Sequence, residues 1–554
     1  MPRLEKYMNT VKYLKPVQII NQIKKPFILR SIPQIKPALT VTGKVPETMI
    51  SALDLNASYL RRFTIDDIAH GQLTLLNESY FVDWCTWEAM TEASPLWRFT
   101  LHYFEFAVAL AADYYHTRNA TRYEVFKKLL LSWIASNPAA KGDGWHPYTI
   151  SMRIPNWLIC FDLFDGIFKQ DEEFKLTAYR SIFAQYSVLA KRRELWQLGN
   201  HYFENLKTLV LCSLLFEDPL AYENYIELFL RELQEEILPD GVHFELSVMY
   251  HKIILEDTIR VAYWLKQKNR PELAFILPYI QKMADALFSL EKGMSKTPLF
   301  NDAGNGVSKE APALLETVRG LFHIEPVNLD DLTASGYYKL FDGQLALMFD
   351  AGLIGPDYMP GHGHCDCLSF ELSRDGKPLF VNSGTYQYQS DLRKYFRSTK
   401  AHNTVMIGDQ EQSECWGEHR VARRISDIRV EKNGQGITGS YKNYLGNTHH
   451  RMLSLSEGVL TILDSTVADE SYKIQSYLHI VPGYSVVKED KYLSIGRNGD
   501  TVCKIYPLEC TAQIHTSGEL THYAPEFGVL LTATCVEFGW QSDKRQHGYT
   551  VKFY

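Results

Sequence analysis

The sequence predicts a multidomain α-then-β fold: an N-terminal incomplete (α/α) toroid, then a C-terminal antiparallel β-sandwich. Three observations carry this. From about residue 50 to about 325, apolar residues recur at three- and four-residue spacings, as along one face of a helix. From about residue 336 the runs shorten, alternate, favour β-branched and aromatic residues, and break at Gly, Asn and Asp. The chain has 554 residues, too many for one ordinary core.

Residues 1–50 read as a helical extension. Its start, MPRLEKYMNTVKYLKPVQIINQIKK, is basic and amphipathic, without the apolar run or small-residue cleavage site of an export signal. The chain as given therefore reads as cytoplasmic, or as periplasmic or secreted if such a signal was removed. Residues 51–330 are assigned to the toroid. WRFTLHYFEFAVALAADYY and YEVFKKLLLSWIASN open it, and helices over 171–197, 200–217, 219–237, 248–267 and 272–291 follow. Short loops such as NPAAKGDGWHP and LPDGVHF part them. So many helices in antiparallel series suit a ring better than a simple bundle. EPVNLDDLTASG marks the boundary. Residues 336–554 then supply strands, among them QLALMFDAG, LSFELSRDGKPLFVNSG, LSLSEGVLTILDSTV and IQSYLHIVPG. RDGK sets a hairpin dipeptide between two runs.

Composition excludes several classes. A net charge of −7 gives no global basic field. Local clusters (Lys191, Arg192 and Arg193; Arg393, Lys394 and Arg397; Arg420, Arg423 and Arg424) could hold an anionic ligand or be solvated surface. No nucleic-acid motif accompanies them. Nine scattered cysteines are not a disulfide framework, and Cys365 and Cys367 lack zinc-knuckle spacing. No stretch is expected to span a membrane. Aromatic content of 13% suits either a large core or a sugar-lined cleft.

Several polar constellations carry candidate chemistry. Asn200, His201 and Glu204 occupy the first turn of a helix, as a cap and a dipole-favoured acid also would. Tyr250 and His251 precede another apolar run. Trp145, Tyr148 and Arg153 in GDGWHPYTISMRIPNW suit a sugar-stacking wall, or equally a loop pinned onto the toroid. In GHGHCDCLSF, His362 and His364 are i and i+2, so an extended backbone points both the same way. Asn382, Tyr388, Arg397 and His402 follow. Three histidines on neighbouring strand ends could bind a metal.

Together these stretches resemble the heparinase II/III family of polysaccharide lyases. The matching pieces are W-x-P-Y-x-x-S-x-R-x-x-N-W at 145–157, N-H-x-x-E-N at 200–205 and D-G-x-H-F-E-x-S-x-M-Y-H at 240–251. F-N-D at 300–302, H-G-H-x-D-x-L-S-F at 362–370, N-S-G-T-Y at 382–386 and R-S-T-x-A-H-N-T at 397–404 complete the series. The resemblance implies β-elimination on a uronic-acid polysaccharide, most simply a glycosaminoglycan of heparan sulfate, hyaluronan or chondroitin type. Such chemistry needs donors that stabilise the enolate forming at the uronate carboxylate. It also needs a base for the C5 proton and an acid for the departing O4. A tyrosine whose pKa is lowered by neighbouring cations could be both.

By this resemblance Tyr250 is the general base, acid or both. Asn200 and His201 meet the carboxylate, with Glu204 orienting one of them. His362 closes the cleft from the sheet side, and His251 supports. Trp145, Tyr148, Arg153, Arg397 and Tyr388 are the expected substrate-binding residues. His364, Asn382 and His402 fall where some relatives hold a divalent ion (Zn, Mn or Ca), but Asn382 stands where a carboxylate is common. Asp366 could replace it. No organic cofactor is implied. The expected partner is an anionic polysaccharide or oligosaccharide, with no nucleic acid and no membrane. Alternatives are a lyase for alginate or a bacterial exopolysaccharide, a glycoside hydrolase using two of Asp143, Asp240, Glu245 and Asp302, or a non-catalytic sugar-binding protein.

Overall fold

The helical periodicity is used twice over in the first half of the chain. Glu105–Thr117, Pro147–Leu163, Gly199–Leu215, Val248–Gln267 and Ala311–Phe322 contact one another in series as an inner ring. Outside them lie Thr121–Ser136, Glu172–Lys191, Pro219–Glu236 and Leu273–Glu291, each packed on its inner neighbour. Inner helices must be apolar nearly all round, and Gly199–Leu215 and Val248–Gln267 bury most of their residues. One apolar core runs through the ring from Ile50 to Met348. This computed structural model describes residues 2–30, 44–55, 60–87, 92–294, 296–543 and 545–554. Residues 31–43 of the expected extension lie outside that set.

Three expectations need correction. The helix expected over 171–197 ends at Lys191, and residues 192–198 are bend and turn rather than helix. The segment 142–157, read as a loop, contains a helix start: Pro147 occupies its first turn, where a missing N–H costs nothing. Leu273–Glu291 is in fact long and apolar enough to cross a membrane by length and composition. Here Ile276, Ile280, Met283, Leu287 and Leu290 turn that surface onto the toroid core.

The second half is a sandwich of two antiparallel sheets. One has the order Ser426–Asn433, Gly436–Lys442, Thr448–Ser456, Val459–Val467, His547–Phe553, Asp500–Leu508, Leu493–Arg497, Ser485–Lys488. The other runs Thr511–His515, Thr534–Gln541, Lys473–Ile480, Lys377–Phe380, Phe370–Arg374, Leu345–Asp350, Tyr337–Asp342, Asp331–Leu332, with Val405–Ile407 beside Lys473–Ile480. Phe349, Phe370 and Leu372 of one meet Leu453, Ile462 and Val551 of the other in a shared core. The RDGK hairpin forms with Asp375 and Gly376 both at positive φ (52° and 69°), as a two-residue turn of this hand requires.

Two clasps join the halves beside the cleft. In the first, Tyr7 meets Trp416 edge-on at 4.8 Å and Thr10 accepts from its indole at 3.1 Å. The next helix, Pro16–Arg30, lies on the toroid: Gln18 donates to the Gln197 and Tyr358 carbonyls at 3.1 and 3.2 Å. In the second, the hairpin of Gln72–Leu75 and Glu78–Phe81 reaches the sandwich. Asn77 donates to the Phe527 carbonyl at 2.9 Å, and Gln387 donates to Glu78.

Candidate active site

A cavity of about 450 Å³ lies between the toroid and the sandwich. Asn200, His201, Tyr148 and Tyr250 line it from the ring; His362, Tyr388 and His419 line it from the sheets.

Each ring residue is fixed by a helix start. Ser247 caps Val248–Gln267, accepting from the Tyr250 N–H at 3.4 Å and donating to the Asp302 carbonyl at 2.7 Å. That places the Tyr250 hydroxyl 2.8 Å from the Tyr388 hydroxyl and its ring 4.2 Å from the His362 ring. Asn200 enters Gly199–Leu215 beside Glu245. Its N–H and Nδ2 each donate to that carboxylate at 3.0 Å, and Nδ2 is also 3.4 Å from His362 Nε2. His201 turns Nδ1 to Glu194 Oε1 at 3.0 Å, which leaves Nε2 for the cavity. Glu194 is buried, yet His201 and His146 beside it hold its carboxyl below the ordinary value.

Asp302 organises the sheet side. One oxygen accepts from His362 Nδ1 and the other from His364 Nε2, each at 2.9 Å. Arg393 clamps both oxygens. Burial opposes ionisation of Asp302, but Arg393 and the two imidazoles keep it well below the usual carboxylate range. An ionised Asp302 accepts only, so His362 donates through Nδ1 and turns Nε2 to the cleft. Arg393 also stacks over Tyr388, 5.0 Å from its centroid.

The tyrosines depart from the sequence expectation. Burial, together with each other's proximity, raises Tyr250 well above 10, and burial raises Tyr388 too. Tyr148 and Glu245 push Tyr250 the same way, so its hydroxyl is held as a phenol that can donate a proton. His419 lies 4.9 Å from the Tyr388 ring and 5.8 Å from the His362 ring, and burial beside His362 lowers its pKa to about 3.

Four expected residues lie elsewhere, and a fifth, Glu204, lines the cavity without its expected role. Glu204 does not orient Asn200 or His201; it pairs with Lys207, which also reaches Asp257 at 2.8 Å. Glu245 and Glu194 do that work. His251 is wholly buried, bonded to the His243 N–H and the Met283 carbonyl. Trp145 stacks on Trp133 and donates to the Asn137 carbonyl. Arg153 is buried over the Trp133 ring at 4.0 Å, bonded to Gln185 and the His102 carbonyl. Arg397 is buried too, gripping the Gly363 carbonyl at 3.0–3.1 Å, and so holds the His362–His364 loop rather than substrate.

Glu194, Arg393 and His419 were not among the expected site residues, and Glu245 and Asp302 entered only as carboxylates of the hydrolase alternative. Asp302 stood in the F-N-D piece and Arg393 in a noted basic cluster, so a signal existed for both. The carboxylates do not suit hydrolysis. Asp143 pairs with Arg98 at 2.9 Å, Asp240 holds Ser335, and Glu245 and Asp302 are saturated by Asn200 and by His362, His364 and Arg393. Glu204 and Asp257 are both tied to Lys207.

Behind His362, ligand atoms of His364, Asp366 and His402 lie within 4.8 Å of one another. His364 Nδ1 and both His402 nitrogens are buried without hydrogen-bond partners. An imidazole buried with neither nitrogen satisfied is costly, and a cation coordinated there would relieve it. Asn382 offers less: its Oδ1 already accepts from the Asn403 N–H at 3.3 Å. Asp366 is the carboxylate of this group, pushed up to about 6 by burial. All nine cysteines are free thiols.

Comparison with known proteins agrees with this architecture. The model of the heparinase II/III N-terminus matches residues 62–326, and that of the heparinase II/III-like C-terminal region matches residues 325–536. A heparin-sulfate lyase of Pedobacter heparinus is 21% identical over 365 residues, 56% of this chain and 52% of the relative. One of Bacteroides stercoris is 22% identical over 458 residues, 73% of this chain and 66% of that one. The chain thus spans about half to two thirds of the curated relatives it matches. A heparinase III crystal structure superposes with a TM-score of 0.71 at 17% identity, covering 96% of this chain and 88% of its own. With both family models matched across most of its length, the chain belongs to the heparinase II/III family.

Proposed function

We propose that the protein is a polysaccharide lyase that cleaves a uronic-acid-containing glycosaminoglycan, of heparan sulfate type, by β-elimination. The observation that carries this is the facing of an Asp-oriented imidazole, His362, and a protonated tyrosine, Tyr250, across one cavity. The uronate carboxylate would sit against Asn200 Nδ2 and His201 Nε2, which stabilise the enolate as C5 loses its proton. His362 Nε2 takes that proton. The C5–H pair becomes the C4=C5 double bond, the C4–O4 bond breaks, and O4 leaves with the Tyr250 proton. With the rings 4.2 Å apart, the proton on His362 can restore the Tyr250 phenol. Tyr388 holds the Tyr250 hydroxyl in place. Substrate type rests on the heparin-sulfate lyases named above.

The test is ultraviolet absorbance of unsaturated uronate on heparan sulfate, chondroitin sulfate, hyaluronan and alginate. Tyr250→Phe should lose about a hundredfold to ten-thousandfold in rate. New reducing ends without absorbance would refute elimination.

We also propose that His364, Asp366 and His402 hold one divalent ion, the two imidazoles favouring zinc over calcium. It would tie the His362–His364 loop to the segment carrying His402. Elemental analysis of protein purified without chelator should find about one zinc per chain. His402→Ala should abolish it, and a metal-free wild type would refute the site.

A further inference from the structure

The helix Pro16–Arg30 is inside-out. Its polar side chains at i, i+4 and i+7 face the protein: Gln18 is 2% exposed and bonded to two toroid carbonyls, Gln22 bonds the Trp196 carbonyl, and Lys25 lies over the Trp196 ring at 5.0 Å. Most of its apolar side chains face out. Ile20, Ile23 and Phe27, at i, i+3 and i+7, are 49%, 71% and 74% exposed. The preceding helix, Pro2–Val11, repeats this, with Leu4 and Met8 about two-thirds exposed (66% and 65%). Elsewhere among the described residues exposed large apolar side chains are mostly scattered; here they concentrate on two consecutive helices.

Charge says what covers this stripe. Residues 1–30 contain seven Lys and Arg and one Glu, in a chain whose net charge is −7. Lys12, Lys24 and Arg30 are exposed on the same two helices or the turn between them. The acid, Glu5, faces Arg423 at 3.9 Å. A second copy packed symmetrically on the stripe would bring two basic segments together without compensation. A sheet of anionic headgroups over acyl chains meets both the cations and the apolar side chains. We infer that residues 2–30 dock the protein in the plane of an anionic lipid surface, with Ile20, Ile23 and Phe27 entering the acyl boundary. This is a surface contact, not a span, and it does not depend on what the cavity binds.

The test is co-sedimentation of the full chain with phosphatidylcholine vesicles and with vesicles in which about a third of the lipid is phosphatidylglycerol. The protein should pellet with the anionic vesicles, and less so as salt rises. Ile23→Glu/Phe27→Glu should weaken partitioning by about tenfold or more. Lys12→Gln/Lys24→Gln should weaken it at low salt only. Both variants should keep the wild-type melting temperature, since they alter exposed side chains. Failure to pellet with either vesicle overturns the proposal, as does equal pelleting of Ile23→Glu/Phe27→Glu. So does a lower melting temperature, or a dimer lost in that variant, because either shows that protein already covers the stripe.

Discussion

Asp302 has one carboxylate and three duties: it accepts from His362 Nδ1, orients His364, and receives both arms of Arg393. Its replacement therefore separates charge from shape. Asp302→Asn keeps the volume but leaves the wholly buried Arg393 without a counter-ion, which costs about 3–5 kcal/mol. It also lets His362 protonate Nε2, the nitrogen facing the cleft. Calorimetry should show a lower melting temperature, and at temperatures where the variant is folded the lyase rate should fall further than folding accounts for. A variant with wild-type turnover would exclude His362 as the base. At this scale the sequence was half legible. Asn200, His201, Tyr250 and His362 announced themselves as polar groups in apolar surroundings. Their partners did not, because Glu245 is 45 residues from Asn200 and Arg393 is 91 from Asp302. Arg153 misled for a related reason: once Pro147 starts a helix, Arg153 turns inward onto Trp133, which residue type alone does not reveal.

The entry to Gly199–Leu215 shows how an element, rather than a residue, aims the site. Leu198 and Gly199 both take positive φ, 64° and 55°, so the chain reverses sharply just before Asn200. A Cβ on Gly199 would stand 2.0 Å from the Met359 methyl and 2.9 Å from Glu245 Oε1, the oxygen that receives the Asn200 N–H. Gly199→Ala should lower stability by about 1–2 kcal/mol through backbone strain. It should lower kcat by at least about tenfold through the displaced Glu245–Asn200 pair. Denaturant midpoints and turnover measured on one preparation would separate the two. Helices were legible because their periodicity is long and their caps are explicit. Strands were legible where they are apolar. Ser426–Asn433, Asp500–Leu508 and Thr511–His515 were missed because they are short or half-exposed, and their alternation is diluted by charge.

Across the whole molecule, stability should track pH through buried histidines that do not line the cleft. Burial lowers His102 and His251 to about 3 and His243 to about 4, all below the unfolded value of 6.5. The unfolded chain therefore binds more protons between these values, so stability is full above pH 6.5 and is lost as pH falls toward 4. At pH 5.5 each of the three gives up about 1.4 kcal/mol. Thermal scans should show a melting temperature flat above neutrality and falling steeply below pH 6.5; a flat profile down to pH 5 would contradict neutral burial of these rings. The ring-then-sandwich order was readable because each half keeps one period throughout. How the halves face each other was not, because it depends on contacts such as Asn77 to Phe527, 450 residues apart.

Those contacts have a kinetic consequence. Toroid and sandwich are clasped at two places beside the cavity, so they can part only when those clasps break together with the contacts across it, such as Tyr250 to Tyr388 and Asp302 to Arg393. A ligand small enough to enter the closed cavity should associate at a rate proportional to its concentration. One that needs the halves apart must wait for a unimolecular opening, and its observed rate should level off at that opening rate however much ligand is added.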